Sequence, residues 1–184
     1  MKNTATIVAL LMLVSSAAHA QNATSSAGQM IILTLTDAIE ISFTATGTNV
    51  GNDVTLPFTS VNSYADGVAS TAQELKVRSN KDFTVTVKST SLNFSYNGSV
   101  NPAPVMPILN VLGLQVTANS TGGSIISPFT NATYSTISNT SQDLINYGSK
   151  GGNQTFSVKY KATPAFMFPA GTYTANVVYT ATQM

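Results

Sequence analysis

The chain has 184 residues, 43% hydrophobic and only 8% charged, with no cysteine and a formal net charge of +1. Such a balance lays down no basic stripe for phosphate contacts, which excludes nucleic acid as an expected partner, and exerts no pull towards anionic lipid. Without cysteine there are no disulfide staples and no lipoprotein anchor, so stability has to come from sheet pairing and core burial.

The first twenty residues read as a secretory signal peptide. Lys2 precedes an apolar run over residues 7–14, and Ala18-His19-Ala20 supplies a cleavage site after Ala20. Removal of residues 1–20 takes away the only histidine and leaves seven Lys plus Arg against seven Asp plus Glu. Residues 21–184 are therefore expected to be exported. They contain no second apolar run near the ~20 residues that span a bilayer, so no membrane span is expected.

Residues 21–28 (QNATSSAG) are polar and without period, as expected of a mobile segment. A long alternating stripe follows. Ile31, Leu33, Leu35, Ile39, Ile41 and Phe43 share one side, interrupted only by Asp37. A period of two marks a half-buried strand, and an Asp on the oily side marks where the strand leaves the core. The stripe divides there into an outer segment, residues 30–36, and an inner strand over residues 38–46.

Residues 47–53 form a loop by composition, and residues 54–61 an extended segment with Pro57 suited to an edge. Tyr64-Ala65-Asp66-Gly67 reads as a turn. Strands are expected over residues 74–79, with Leu75 and Val77 inward, and over residues 83–88, with Phe83, Val85 and Val87 inward. The Ser79-Asn80-Lys81-Asp82 linker between them suits a four-residue hairpin. Leu92, Phe94 and Tyr96 share a face, and Asn97-Gly98 signals a tight turn. Three prolines make residues 101–107 a bridging loop. Residues 108–118 align Leu112, Leu114 and Val116, while residues 119–146 read as long loops with at most one short helix or strand. Two strands close the chain: residues 155–162, with Phe156, Val158, Tyr160 and Ala162 on one face, and residues 172–182, with Tyr173, Val177 and Tyr179 aligned. Many short strands with Gly and Pro punctuation imply an all-β fold, an immunoglobulin-like antiparallel β-sandwich with an N-terminal extension strand.

Chemistry is sparse. With neither His nor Cys in residues 21–184, no base is available to activate a nucleophile near neutral pH. The seven acids, Asp37, Glu40, Asp53, Asp66, Glu74, Asp82 and Asp143, fall mainly in turns and at strand ends, and no pattern pairs two of them for glycoside chemistry. Asn49, Asn52 and Asp53 offer one carboxylate among amides, too little for calcium. Gly122-Gly123 and Gly151-Gly152 read as turns rather than phosphate loops. The expectation is a protein that is no enzyme and has no catalytic residues, no metal and no cofactor.

The two ends of the chain carry a pattern. An alternating apolar segment, residues 30–36, leads into Ile39-Glu40-Ile41-Ser42-Phe43, and the chain closes on Pro169-Ala170-Gly171-Thr172-Tyr173 followed by an alternating strand. This resembles bacterial pilin subunits of the chaperone–usher kind, in their cysteine-free branch. The resemblance implies an incomplete immunoglobulin-like domain, residues 37–184, and a donor segment, residues 21–36, that fills the groove of the next subunit by β-augmentation. By position, Ile31, Leu33 and Leu35 would be the donor side chains, and Tyr173, Val177 and Tyr179 would lie on the terminal strand bordering the groove. The implied partners are neighbouring copies or related subunits, a periplasmic chaperone and an outer-membrane usher. The implied location is the bacterial cell surface, with adhesion among the roles. The chain departs from the pattern in running five mostly polar residues beyond Tyr179. The alternative from the residues alone is a self-complete secreted or surface β-sandwich that binds a carbohydrate, a cell-wall component or a host protein.

Overall fold

The computed structural model describes residues 24–184; the expected signal peptide and the first residues of the extension lie outside the described residues. Residues 24–35 and residues 36–184 belong to separate units. Residues 24–35 carry no helix or strand, and every side chain among them is exposed.

The second unit is nearly all β. Its elements in chain order are β1 (Ile39–Phe43), a short helix α1 (Val61–Asp66), β2 (Val68–Ala69), β3 (Gln73–Ser79), β4 (Phe83–Ser89), β5 (Ser95–Asn97), β6 (Leu112–Asn119), β7 (Ser124–Ile125), β8 (Ser135–Thr136), β9 (Gln142–Gly148), β10 (Gly151–Ala162), β11 (Thr172–Thr174) and β12 (Val177–Gln183). One sheet runs β1-β3-β10-β6-β8, with β2 also on β10; the other runs β12-β4-β9-β7. A two-stranded ribbon joins β11 to β5, and every pairing is antiparallel.

The two sheets pack face to face because each strand turns alternate apolar side chains to the same interior. Leu75 and Val77 of β3, Leu114 and Val116 of β6, and Phe156 and Val158 of β10 meet Phe83, Val85 and Val87 of β4 and Leu144 and Ile145 of β9 in one buried cluster. At roughly 25 cal/mol per Å² of apolar surface, this interior is the principal source of stability in a chain without disulfides.

The structure corrects several expectations. Residues 79–82 do not close a hairpin. β3 pairs with β1 and β10, whereas β4 pairs with β12 and β9, so the linker carries the chain from one sheet to the other. The inner strand ends at Phe43 rather than residue 46, because Gly47, at φ 64°, turns the chain so that Phe43 N donates to Thr48 O at 2.9 Å. Residues 54–61 do not pair as a strand, and the turn expected at Tyr64 is the end of α1. Ser60 caps that helix through its hydroxyl, which accepts from Ser63 N at 3.2 Å, and Gly67 ends it at φ 77°. The region expected to be mostly loop contains β9, a seven-residue strand between β4 and β7. The expected final strand is two strands, since β11 leaves the main sheets to pair with β5.

Candidate functional site

The site is the open side of the sandwich. β1 is the edge of one sheet and β12 the edge of the other, and they meet along a common seam. At one end of the seam Gln183 Nε2 donates to Ala38 O at 2.9 Å. At the other, the rings of Phe43 and Tyr179 stand edge-on with centroids 6.2 Å apart.

Both edges present backbone that is unpaired among the described residues. Alternation decides which groups these are, because a residue in an antiparallel strand turns its N–H and C=O to the same side. Asn80 N donates to Ala38 O and Thr44 N to Glu74 O, so the even-numbered residues of β1 face β3 and the odd ones face away. Phe43 spends its outward groups on Thr48 and Gly47, which leaves those of Ile39 and Ile41. On β12, Thr90 N donates to Asn176 O and Met184 N to Asp82 O, so Val177, Tyr179, Ala181 and Gln183 turn theirs away from β4. Such an edge is a template for another strand.

Behind the edges lies a cleft of about 1120 Å³. Ile41, Phe43, Val177 and Tyr179 line it from the two edge strands, and Leu56 and Phe58 from residues 49–58. Residues 51–59 form no hydrogen bond with the other described residues. Leu56 and Phe58 nonetheless pack against the core, so this segment is held by its side chains alone.

Two tyrosines form the floor. The hydroxyls of Tyr160 (β10) and Tyr179 (β12) lie 2.7 Å apart, one donating to the other, with the residues only 8% and 9% exposed. Burial is the main cause of their shifted acidity. It pushes the Tyr160 hydroxyl up to about 12, opposed by the hydrogen bond from Tyr179. The Tyr179 hydroxyl is driven well above its usual value by burial first and then by the neighbouring Tyr160.

Of the residues singled out from the sequence, Val177 and Tyr179 lie on β12 and line the cleft. Tyr173 also lines it, from β11 rather than the terminal strand; its ring packs 5.0 Å from Tyr96 and its hydroxyl donates to Pro169 O. Ile31, Leu33 and Leu35 are 80%, 81% and 86% exposed. Sequence reasoning did not single out Leu56 and Phe58, which sit in a stretch without regular pairing, nor the polar residues at the closed end of the seam. Among the described residues no three His, Cys, Asp or Glu side chains gather as a metal site, and no helix is long and apolar enough to cross a membrane. No protein-family model matches the chain, and no curated protein matches it in sequence.

Proposed function

We propose that this protein is a structural subunit of a bacterial surface filament, exported through the periplasm, whose copies join when residues 30–36 of one add a strand to the open seam of the next. The observation that carries the reading is a complementarity within one chain. Five large apolar residues, Met30, Ile31, Ile32, Leu33 and Leu35, interrupted only by Thr34, are exposed on a segment that pairs with no strand among the described residues. The same chain carries two edge strands with outward-facing backbone around a cleft to which Ile41, Phe43, Leu56, Phe58, Val177 and Tyr179 contribute apolar side chains.

The dimensions agree. The outward groups of Val177, Tyr179 and Ala181 span five residues, and Ile31, Leu33 and Leu35 repeat at the same spacing of two. Backbone hydrogen bonds would supply affinity and the alternate side chains selectivity. A chaperone holding the seam before assembly and an usher passing subunits outward fit the same surface. An immunoglobulin-like connectivity belongs to this reading.

Two observations favour a second reading, a self-complete binding module. Leu56 and Phe58 already cover part of the core beside the cleft. Tyr64 and Phe166 stack at 5.6 Å at the same end, with Phe166 66% exposed, as a platform for a sugar face would be.

A labelled peptide of residues 28–36 titrated into the domain of residues 36–184 separates the two. Saturable binding, together with filaments on the native cell surface by electron microscopy, supports the subunit. A domain that ignores the peptide and stays monomeric with its N-terminal segment attached refutes it.

A further inference from the structure

Residues 30–36 have two conceivable destinations, the seam of their own domain and that of another copy. The closed end bears on the choice through the side chain of Asn80, on the linker that crosses between the sheets. Ala38 N donates to Asn80 Oδ1 at 3.0 Å, and Asn80 Nδ2 donates to Thr36 O at 2.8 Å. The Asn80 backbone N also donates to Ala38 O, at 3.2 Å. The carboxamide therefore takes the place of a partner strand's peptide group. It extends the pairing of β1 by one step to Thr36 and keeps residues 36–38 in strand-like register.

Two further side chains close round this point. Lys81 Nζ lies 2.7 Å from Asp37 Oδ2. Gln183 Nε2, reaching across from β12, donates to Ala38 O and to Asn80 Oδ1, each at 2.9 Å.

The direction of the chain gives this clamp its consequence. β1 runs from the clamp at Ile39 towards the open cleft at Phe43, and β12 runs the opposite way, from Val177 to Gln183. For residues 31–35 to lie in the seam of their own domain, the chain must reverse between Leu35 and Ile39. That makes Thr36-Asp37-Ala38 a three-residue hairpin loop, which ordinarily wants a glycine at its left-handed position. None is present. The reversal would also break the bonds from Ala38 N and to Thr36 O that Asn80 makes.

Resting on the subunit reading above, we infer that Asn80 is a positioning residue that directs the donor segment to act in trans: it holds the segment's root extended so that its apolar residues reach a second copy of this chain and not their own cleft. Gln183 and Lys81 support it. The clamp also fixes polarity. A segment folded back from Ile39 would run parallel to β12, whereas a segment from another copy is free to add antiparallel, the sense of every pairing in the sandwich.

The test compares the chain from residue 21 as wild type, Asn80→Ala and Asn80→Asp by size-exclusion chromatography with light scattering, and by capture of a fluorescent peptide of residues 28–36. Asn80→Ala removes all three side-chain bonds, those with Ala38, Thr36 and Gln183, and is expected to raise the ratio of monomer to oligomer about tenfold, or about 1.4 kcal/mol. Those monomers should capture little peptide, because their seam is filled from within. Deleting residues 21–35 from the Asn80→Ala chain should raise capture to the level of the wild-type chain with the same deletion, which a merely structural defect would not do. Asn80→Asp keeps the acceptor for Ala38 and loses only the donor to Thr36, so it carries the same shift in smaller measure should the alanine variant fail to fold.

Oligomers and capture unchanged in the folded variants overturn the inference, as does capture that stays low after the deletion. A wild-type chain that neither assembles nor captures peptide, in full length or without residues 21–35, overturns the subunit reading itself, and this inference with it.

Discussion

Leu33→Ser tests the proposed joining of copies through residues 30–36. In the single chain Leu33 is 81% exposed, so the substitution removes almost no buried surface and should change the chain's own stability by no more than about 0.5 kcal/mol. In the assembly proposed above the same side chain would be buried. Full burial of a leucine is worth about 1.5–3 kcal/mol, and four-fifths of that surface remains to be covered, giving about 1.2–2.4 kcal/mol. Association should weaken roughly eightfold to sixtyfold. Urea unfolding followed by circular dichroism at low protein concentration reads the first quantity. Titration of the domain of residues 36–184 with peptides of residues 28–36 carrying Leu or Ser at position 33 reads the second. A serine variant whose unfolding midpoint drops while association stays the same would refute the reasoning, because Leu33 would then be buried against its own chain.

Other consequences concern the domain itself. Tyr160→Phe leaves the buried Tyr179 hydroxyl without its partner and should cost about 1–3 kcal/mol, whereas Tyr160→Phe with Tyr179→Phe should cost less than the two single changes summed, as a double-mutant cycle by thermal unfolding would read. Both hydroxyls ionise at higher pH folded than unfolded, so their contribution is intact below pH 10 and declines as the unfolded chain loses its protons first. Stability should fall by about 1.4 kcal/mol per pH unit for each tyrosine from pH 10 towards 12, measured by urea unfolding at stepped pH; a flat profile in the wild type, or an unchanged slope in the double Phe variant, would count against the pair. Gly123→Ala drives a methyl carbon into the backbone of Asn146 and Gly148, closer than real side-chain carbons approach. It should destabilise by about 1–3 kcal/mol through separation of β7 from β9, read as a lowered melting temperature.

The strands with strict alternation were legible because burial on one side of a sheet imposes a period of two. Leu75 and Val77, Phe83 to Val87, Leu112 to Val116 and Phe156 to Ala162 are the core that the alternation marked. β9 was not legible for the same physical reason. It buries the adjacent residues Leu144 and Ile145, and its register with β4 shifts at that point, so the period is broken where the strand is most buried. α1 is shorter than two helical turns, too brief for a period of 3.6 to be read, although its caps Ser60 and Gly67 are both present.

By itself, then, the sequence determined the class of the fold, the inward faces of its strands, and an exposed-or-buried apolar stripe that breaks at Asp37. Tertiary structure alone decided which strands are partners. Alternation states that a face is covered but not by what, and an apolar strand pattern is the same whether residues 79–82 turn back in a hairpin or cross to the opposite sheet. The seam is a product of that crossing. It places β1 and β12, separated by most of the chain, at neighbouring edges of different sheets, and brings Asn80 and Gln183 together at the closed end where residues 36–38 lead into β1.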